Sequence, residues 1–165
     1  MTLIDGDSGD LTEVAKAAWA WGRGLGLEEM REVAPFLRLS GRFEVPDHDP
    51  VRLVESEWRH LRAEAGEVGS PEYRALVEAA YEKAVLRGLY PFTSHGALRS
   101  SRTTRPGLDV GGPWLQPQSA GLYMVNEGPV WGSEWARAWS VREAVALAVR
   151  RVPRGIGPVA AGNSE

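Results

Sequence analysis

The segment Leu89–Arg105, LYPFTSHGALRSSRTTR, gathers the side chains of this chain best suited to chemistry. His95 carries an imidazole, which titrates near neutral pH and can serve as a general acid or base. Thr93 and Ser94 stand beside it, placed to fix its tautomer by hydrogen bonding. Arg99 and Arg102 offer guanidinium forks for a carboxylate or phosphate. Tyr90 and Phe92, with Pro91 between them, can wall an apolar pocket. The expected site is metal-free. In it His95 moves a proton, Arg99 or Arg102 holds an anionic group, and Tyr90, Phe92 and a tryptophan flank a partly aromatic substrate. Its ring is expected to face a concave pocket where a helix hands over to a sheet.

Each residue also has a plain structural reading. Histidine is often partly buried and hydrogen-bonded without catalysing anything. Strand side chains alternate, so Arg99 and Arg102 point to opposite faces. Arg99 can share a face with Ser101 and Thr103, or Arg102 with Ser100 and Thr104. Seventeen arginines against two lysines lower the weight of any one arginine. Ser94 beside His95 says nothing of a triad, and no G-x-S-x-G elbow occurs.

Several chemistries drop out. The chain has no cysteine, which excludes disulfides, thiolate metal sites and cysteine nucleophiles. Asp47-His48-Asp49 is a poor metal site, because consecutive residues rarely converge on one ion. His60 has no partner at ligand spacing. The GRGLG run at 22–26 follows no strand, and no P-loop is present. No metal and no cofactor are therefore expected. A net charge of −3 argues against nucleic acid as a partner, which calls for a basic field. No apolar run is long enough to cross a membrane, and the acidic lead MTLIDGDSGDLTE lacks the features of a signal peptide. The expectation is a cytoplasmic protein whose partner is a small molecule.

The elements that must position this segment are legible on either side of it. Asp10 or Thr12 caps a helix whose Leu11, Val14, Ala15, Ala18 and Trp19 recur at helical spacing. A second helix spans Leu27–Ala34 and stops at Pro35. A short strand is expected around Phe36–Leu39. Val51, Val54, Trp58, Leu61 and Ala65 form an apolar stripe on a helix over 49–65. Ser70-Pro71 starts a helix over 71–87, with Tyr73, Leu76, Val77, Ala80, Tyr81 and Ala84 inward. Beyond Gly88, Ala97–Thr103, Pro113–Pro117, Leu122–Asn126 and Val130–Trp135 are strand candidates separated by turn residues. Ser140 and Glu143 form a capping box for a last helix. The order predicts a single α+β domain over 1–165. Residues 10–88 are mainly helical, 89–139 form a small antiparallel meander, 140–152 a C-terminal helix and 153–165 a frayed tail. Trp114, Trp131, Trp135 and Trp139 fall in the sheet half. They suit a pocket for a planar ligand, a small core or a homodimer interface.

Several strings have an order that composition does not explain. They are VEAAYEKAVLRGLYPFTSHGALRSSRTTRP at 77–106, GLYMV at 121–125 and SVREAVALAVRRVP at 140–153, with AWAWGRG and EWRHLR as weaker parts. In these the chain resembles an actinobacterial family of unknown mechanism whose members are labelled natural product biosynthesis proteins. The resemblance implies a role in secondary metabolism, acting on a biosynthetic intermediate. A cofactor-independent cyclisation, isomerisation or condensation is the leading expectation. A non-catalytic module that recognises a partner protein or precursor peptide is the alternative, and would show an exposed groove or sheet edge. The family pattern has an aromatic where this chain has Ser100, which implies a cavity or repacking there.

Overall fold

The computed structural model describes residues 3–42, 45–67, 70–109, 111–127, 135–152 and 158–163. The protein is α+β, as its element order predicts. Two compact units are distinguished, Met1–Glu44 and Val45–Glu165.

In the first unit, strands β1 (Ile4–Asp5) and β2 (Arg38–Leu39) pair antiparallel around helices α1 (Leu11–Gly22) and α2 (Leu27–Val33). Asp10 caps α1, its carboxylate accepting from the Thr12 amide at 2.8 Å. Glu29 does the same for α2, accepting from the Gly26 amide at 2.8 Å. The stripe expected to bury α1 does not. Ala20 is the residue of that helix that is buried, while Leu11, Val14, Trp19 and Trp21 are exposed. Helical spacing reports which side chains share a face, not whether another element covers it.

The second unit holds α3 (Pro50–Glu67), α4 (Pro71–Tyr81), α5 (Ala84–Arg87), β3 (Tyr90–Ser94), β4 (Ala97–Ser101), β5 (Pro113–Pro117), β6 (Tyr123–Glu127), β7 (Ala136–Ala138) and α6 (Val141–Arg151). The strands run as an antiparallel meander in the order β3-β4-β5-β6-β7. Strand β3 lies within the stretch 89–139 expected to be sheet, ahead of the first strand candidate Ala97–Thr103, and the candidate Val130–Trp135 lies, except for Trp135, outside the described residues. Ser70 caps α4 by accepting from the Tyr73 amide at 3.3 Å. Ser140 accepts from the Glu143 amide at 3.2 Å, while the Glu143 carboxylate accepts from the Trp139 amide.

Helix α4 ends at Tyr81 instead of running to 87, because Lys83 adopts extended backbone and restarts the chain as α5. Leu86 is thereby buried, while Tyr81 is half-buried and Ala84 exposed. The core is built from Trp58, Leu61, Leu76, Val77, Ala80, Leu98, Leu115, Val125, Ala144 and Val145. Leu98, Leu115 and Val125 stand in register across three strands. Tyr73 of α4 meets Thr93 of the same row, which marks this sheet face as the helix-covered one. The tail is not wholly frayed. Ala160 bridges to Thr103, donating to the Arg102 carbonyl and accepting from the Thr104 amide, both at 3.0 Å. No helix of the described residues is long and apolar enough to cross a membrane.

Candidate functional site

The meander separates the residues that the sequence places together. His95 and Gly96 form the two-residue turn between β3 and β4, with φ of 51° and 75°. Positive φ at both positions is the mark of a tight hairpin whose twist matches its strands. His95 is exposed there, and its Nδ1 lies 3.1 Å from the Ser94 hydroxyl. It lines neither cavity described below. Thr93 turns to the helical side and hydrogen-bonds the Tyr73 hydroxyl at 2.7 Å. Arg102 lies past the end of β4, exposed and ion-paired with Asp109. The Gly111 amide, and then Arg102, hold the Asp109 carboxyl below its ordinary value, against the upward push of burial.

Tyr90, Phe92 and Arg99 do share a sheet face, the one opposite Thr93. Phe92, Arg99, Trp114 and Asn126 form a continuous cross-strand row. The Arg99 guanidinium sits 3.6 Å from the Trp114 ring centroid and 5.0 Å from that of Phe92. Trp135 meets Trp114 edge-on at 6.0 Å. Two of the four clustered tryptophans therefore touch. Trp139 is exposed, and Trp131 lies outside the described residues. On the other face, Ser100 borders a cavity of about 130 Å³ with Leu89, Pro113 and Val152.

The largest described cavity lies elsewhere, along α3. It is a groove of about 810 Å³. Val51, Val54, Glu55, Trp58, Arg59 and Arg62 line it from successive turns of α3, steps of three and four that bring them to one side of the helix. Tyr81, Ala84, Arg87 and Gly88 supply the far wall, and Pro158 and Val159 a third side. Val51, expected in the core, is exposed on this groove.

Its centre is an aromatic–cation stack. The Trp58 and Tyr81 rings lie 5.6 Å apart. The Arg62 guanidinium sits 4.2 Å from the Tyr81 centroid and that of Arg87 at 5.5 Å. Arg62 is also held by Glu78, its Nε donating to both carboxylate oxygens at 3.0 Å. That bond raises the Arg62 pKa above its ordinary value. Arg59 and Arg87 are exposed and have no carboxylate partner among the described residues. Guanidiniums on an aromatic floor can take an anionic group while the rings take its apolar body. The available signal was the set of arginines beside the Trp58 stripe.

The tail completes this groove. Pro158 and Val159 precede Ala160, which is stitched to Thr103. Gly162 follows in the same segment, its amide donating to the Thr104 hydroxyl at 3.4 Å. Arg102 and Thr104, expected to share an anion-binding face, thus anchor a groove wall through their main chain. Among the described residues, no three His, Asp or Glu side chains come together as a metal site.

Residues 52–163 match the model of a family of unknown function, DUF6193. No curated protein and no solved structure matches the chain.

Proposed function

From the premise that the chain belongs to DUF6193, a family without an assigned reaction, we propose that it binds a small anionic molecule with a flat apolar body in the groove along α3. One observation carries this reading. Among the described residues, Arg59 and Arg87 stand without carboxylate partners on a groove floored by Trp58 and Tyr81. A carboxylate or phosphate would meet the two guanidiniums, and an aromatic or alicyclic body would lie along Val54, Trp58 and Val159. The resemblance of the central string to natural product biosynthesis proteins supports a biosynthetic intermediate as the natural ligand. His95 plays no part in this reading, because it does not line the groove.

The test is titration calorimetry with naphthoate and naphthyl phosphate, and with neutral naphthylmethanol as control. The anions should bind and the alcohol should bind far more weakly. Replacing Arg59 and Arg87 together by methionine should weaken anion binding about tenfold or more, the worth of one charge-assisted hydrogen bond. Equal binding of acid and alcohol, or affinity unchanged in the double variant, would overturn the reading.

A further inference from the structure

Arg99, in the chemistry-rich segment, carries a charge for which the described residues supply no counterion. It lies at the centre of β4, the second of the five strands, and only 8% of it is exposed. Its Nε is fully buried and meets no hydrogen-bond acceptor. No ion pair to it is found among the described residues. A guanidinium stays protonated in proteins. Burial opposes its charge, and this lowers the Arg99 pKa with nothing nearby to restore it. Buried polar groups nearly always find partners, and an exception calls for an explanation. Phe92 and Trp114 compensate the charge in part through their ring faces. They leave Nε without an acceptor and the charge without a counterion among the described residues.

The geometry limits what can answer. Register places Phe92 on one side of Arg99 and Trp114 on the other, as its partners on β3 and β5. The Trp114 and Phe92 ring centroids lie 3.6 Å and 5.0 Å from the guanidinium carbon and close those two directions to a ligand. Nε is sealed, so the approach is to the two terminal nitrogens. A planar group with two oxygens side by side matches that fork. A tetrahedral oxyanion fits a slot between two rings less well.

We infer that the Phe92–Arg99–Trp114 row is a second, separate binding site, and that it takes the carboxylate group of a small organic acid. The site does not depend on the groove: no residue of the row lines it.

The test uses the full chain labelled with nitrogen-15 arginine. Loss of one Nε–H resonance in Arg99→Lys assigns that resonance to Arg99. Acetate and benzoate are then titrated at constant ionic strength, with chloride and inorganic phosphate as comparisons. The Arg99 resonance should move saturably with the carboxylates, and little with chloride or phosphate. With Arg59 and Arg87 both replaced by methionine, so that the groove no longer takes the anion, carboxylate should still raise the melting temperature, and adding Arg99→Met should abolish that rise. Arg99→Lys keeps the charge without the fork, and it should lose the response if Arg99→Met fails to fold. The response should persist when Arg59 and Arg87 are both methionine. A resonance that ignores acetate and benzoate would overturn the inference. A response that vanishes with Arg59 and Arg87 would also overturn it, by assigning the carboxylate to the groove. A phosphate response equal to that of acetate would overturn the planar-acid assignment.

Discussion

The indole nitrogen of Trp58 donates to the main-chain oxygen of Arg87 at 3.0 Å, across 29 residues of chain. It also lies 3.2 Å from the Leu89 oxygen. These oxygens sit where α5 gives way to β3, so one buried side chain ties the long helix to the start of the sheet. The same ring floors the groove, and its partner Arg87 presents a guanidinium to it. Folding and the proposed ligand site therefore share a hinge point.

Trp58→Phe keeps an aromatic ring but removes the donor to both carbonyls. It should lower stability by about 1–3 kcal/mol, the cost of buried acceptors left unmet. Trp58→Ala adds the loss of packing at a side chain only 1% exposed, and should cost about 3–5 kcal/mol. Urea unfolding of the three proteins checks both values. Indistinguishable unfolding midpoints would mean that this ring is not the tie it is described to be.

At the hairpin, the backbone of His95 decides what replacements are tolerated. Its φ of 51° lies in the left-handed region, which asparagine adopts readily and β-branched residues resist. Since the ring is exposed, His95→Asn should keep stability within about 0.5 kcal/mol of the native value. His95→Val should cost about 1–2 kcal/mol. Thermal melts of the pair read this directly. Equal melting of the two variants would contradict the turn geometry.

Asp109 gives the loop after β4 a dependence on acid. Its folded-state pKa is depressed, first by the Gly111 amide and further by Arg102, with burial acting in the opposite direction. A depressed carboxyl stabilises the fold above its unfolded pKa, and that contribution is lost as pH falls through the lower folded value. The stability gap between the native protein and Asp109→Asn should be full near neutrality. It should then close on acidification below the ordinary aspartate range. Urea midpoints followed down to strongly acidic pH test this, and a gap of constant size would remove Asp109 from the account.

Gly162 should be intolerant of a side chain. A Cβ there would lie 1.9 Å from the Thr104 carbonyl oxygen and 2.7 Å from that of Gly107. Gly162→Ala should undock the segment 158–163 at a cost of about 1–3 kcal/mol, typical of overpacking. Hydrogen exchange at the Thr104 and Ala160 amides should accelerate. Naphthoate should bind more weakly as Pro158 and Val159 leave the groove. Unchanged exchange at both amides would show that the tail holds by other means.

Local signals in the sequence decided a good deal of this fold. Ser70-Pro71 and Ser140 mark the starts of α4 and α6, because a cap is a contact between residues three apart. Pro113–Pro117 is legible as β5, because turn residues bound it on both sides. The absence of cysteine ruled out whole chemistries before any coordinates. In the central string Arg99 and Phe92 stand together with His95, Thr93 and Arg102. Cross-strand register and the β3–β4 turn keep Phe92 and Arg99 on one sheet face and part them from His95, Thr93 and Arg102. Periodicity could not show that the α1 stripe stays exposed, that Val51 borders a groove, or that Ala160 docks on Thr103. Those outcomes depend on which surfaces meet after residues far apart in the chain are brought together. Side-chain partnership is settled by packing across elements, and a sequence pattern records only spacing within one.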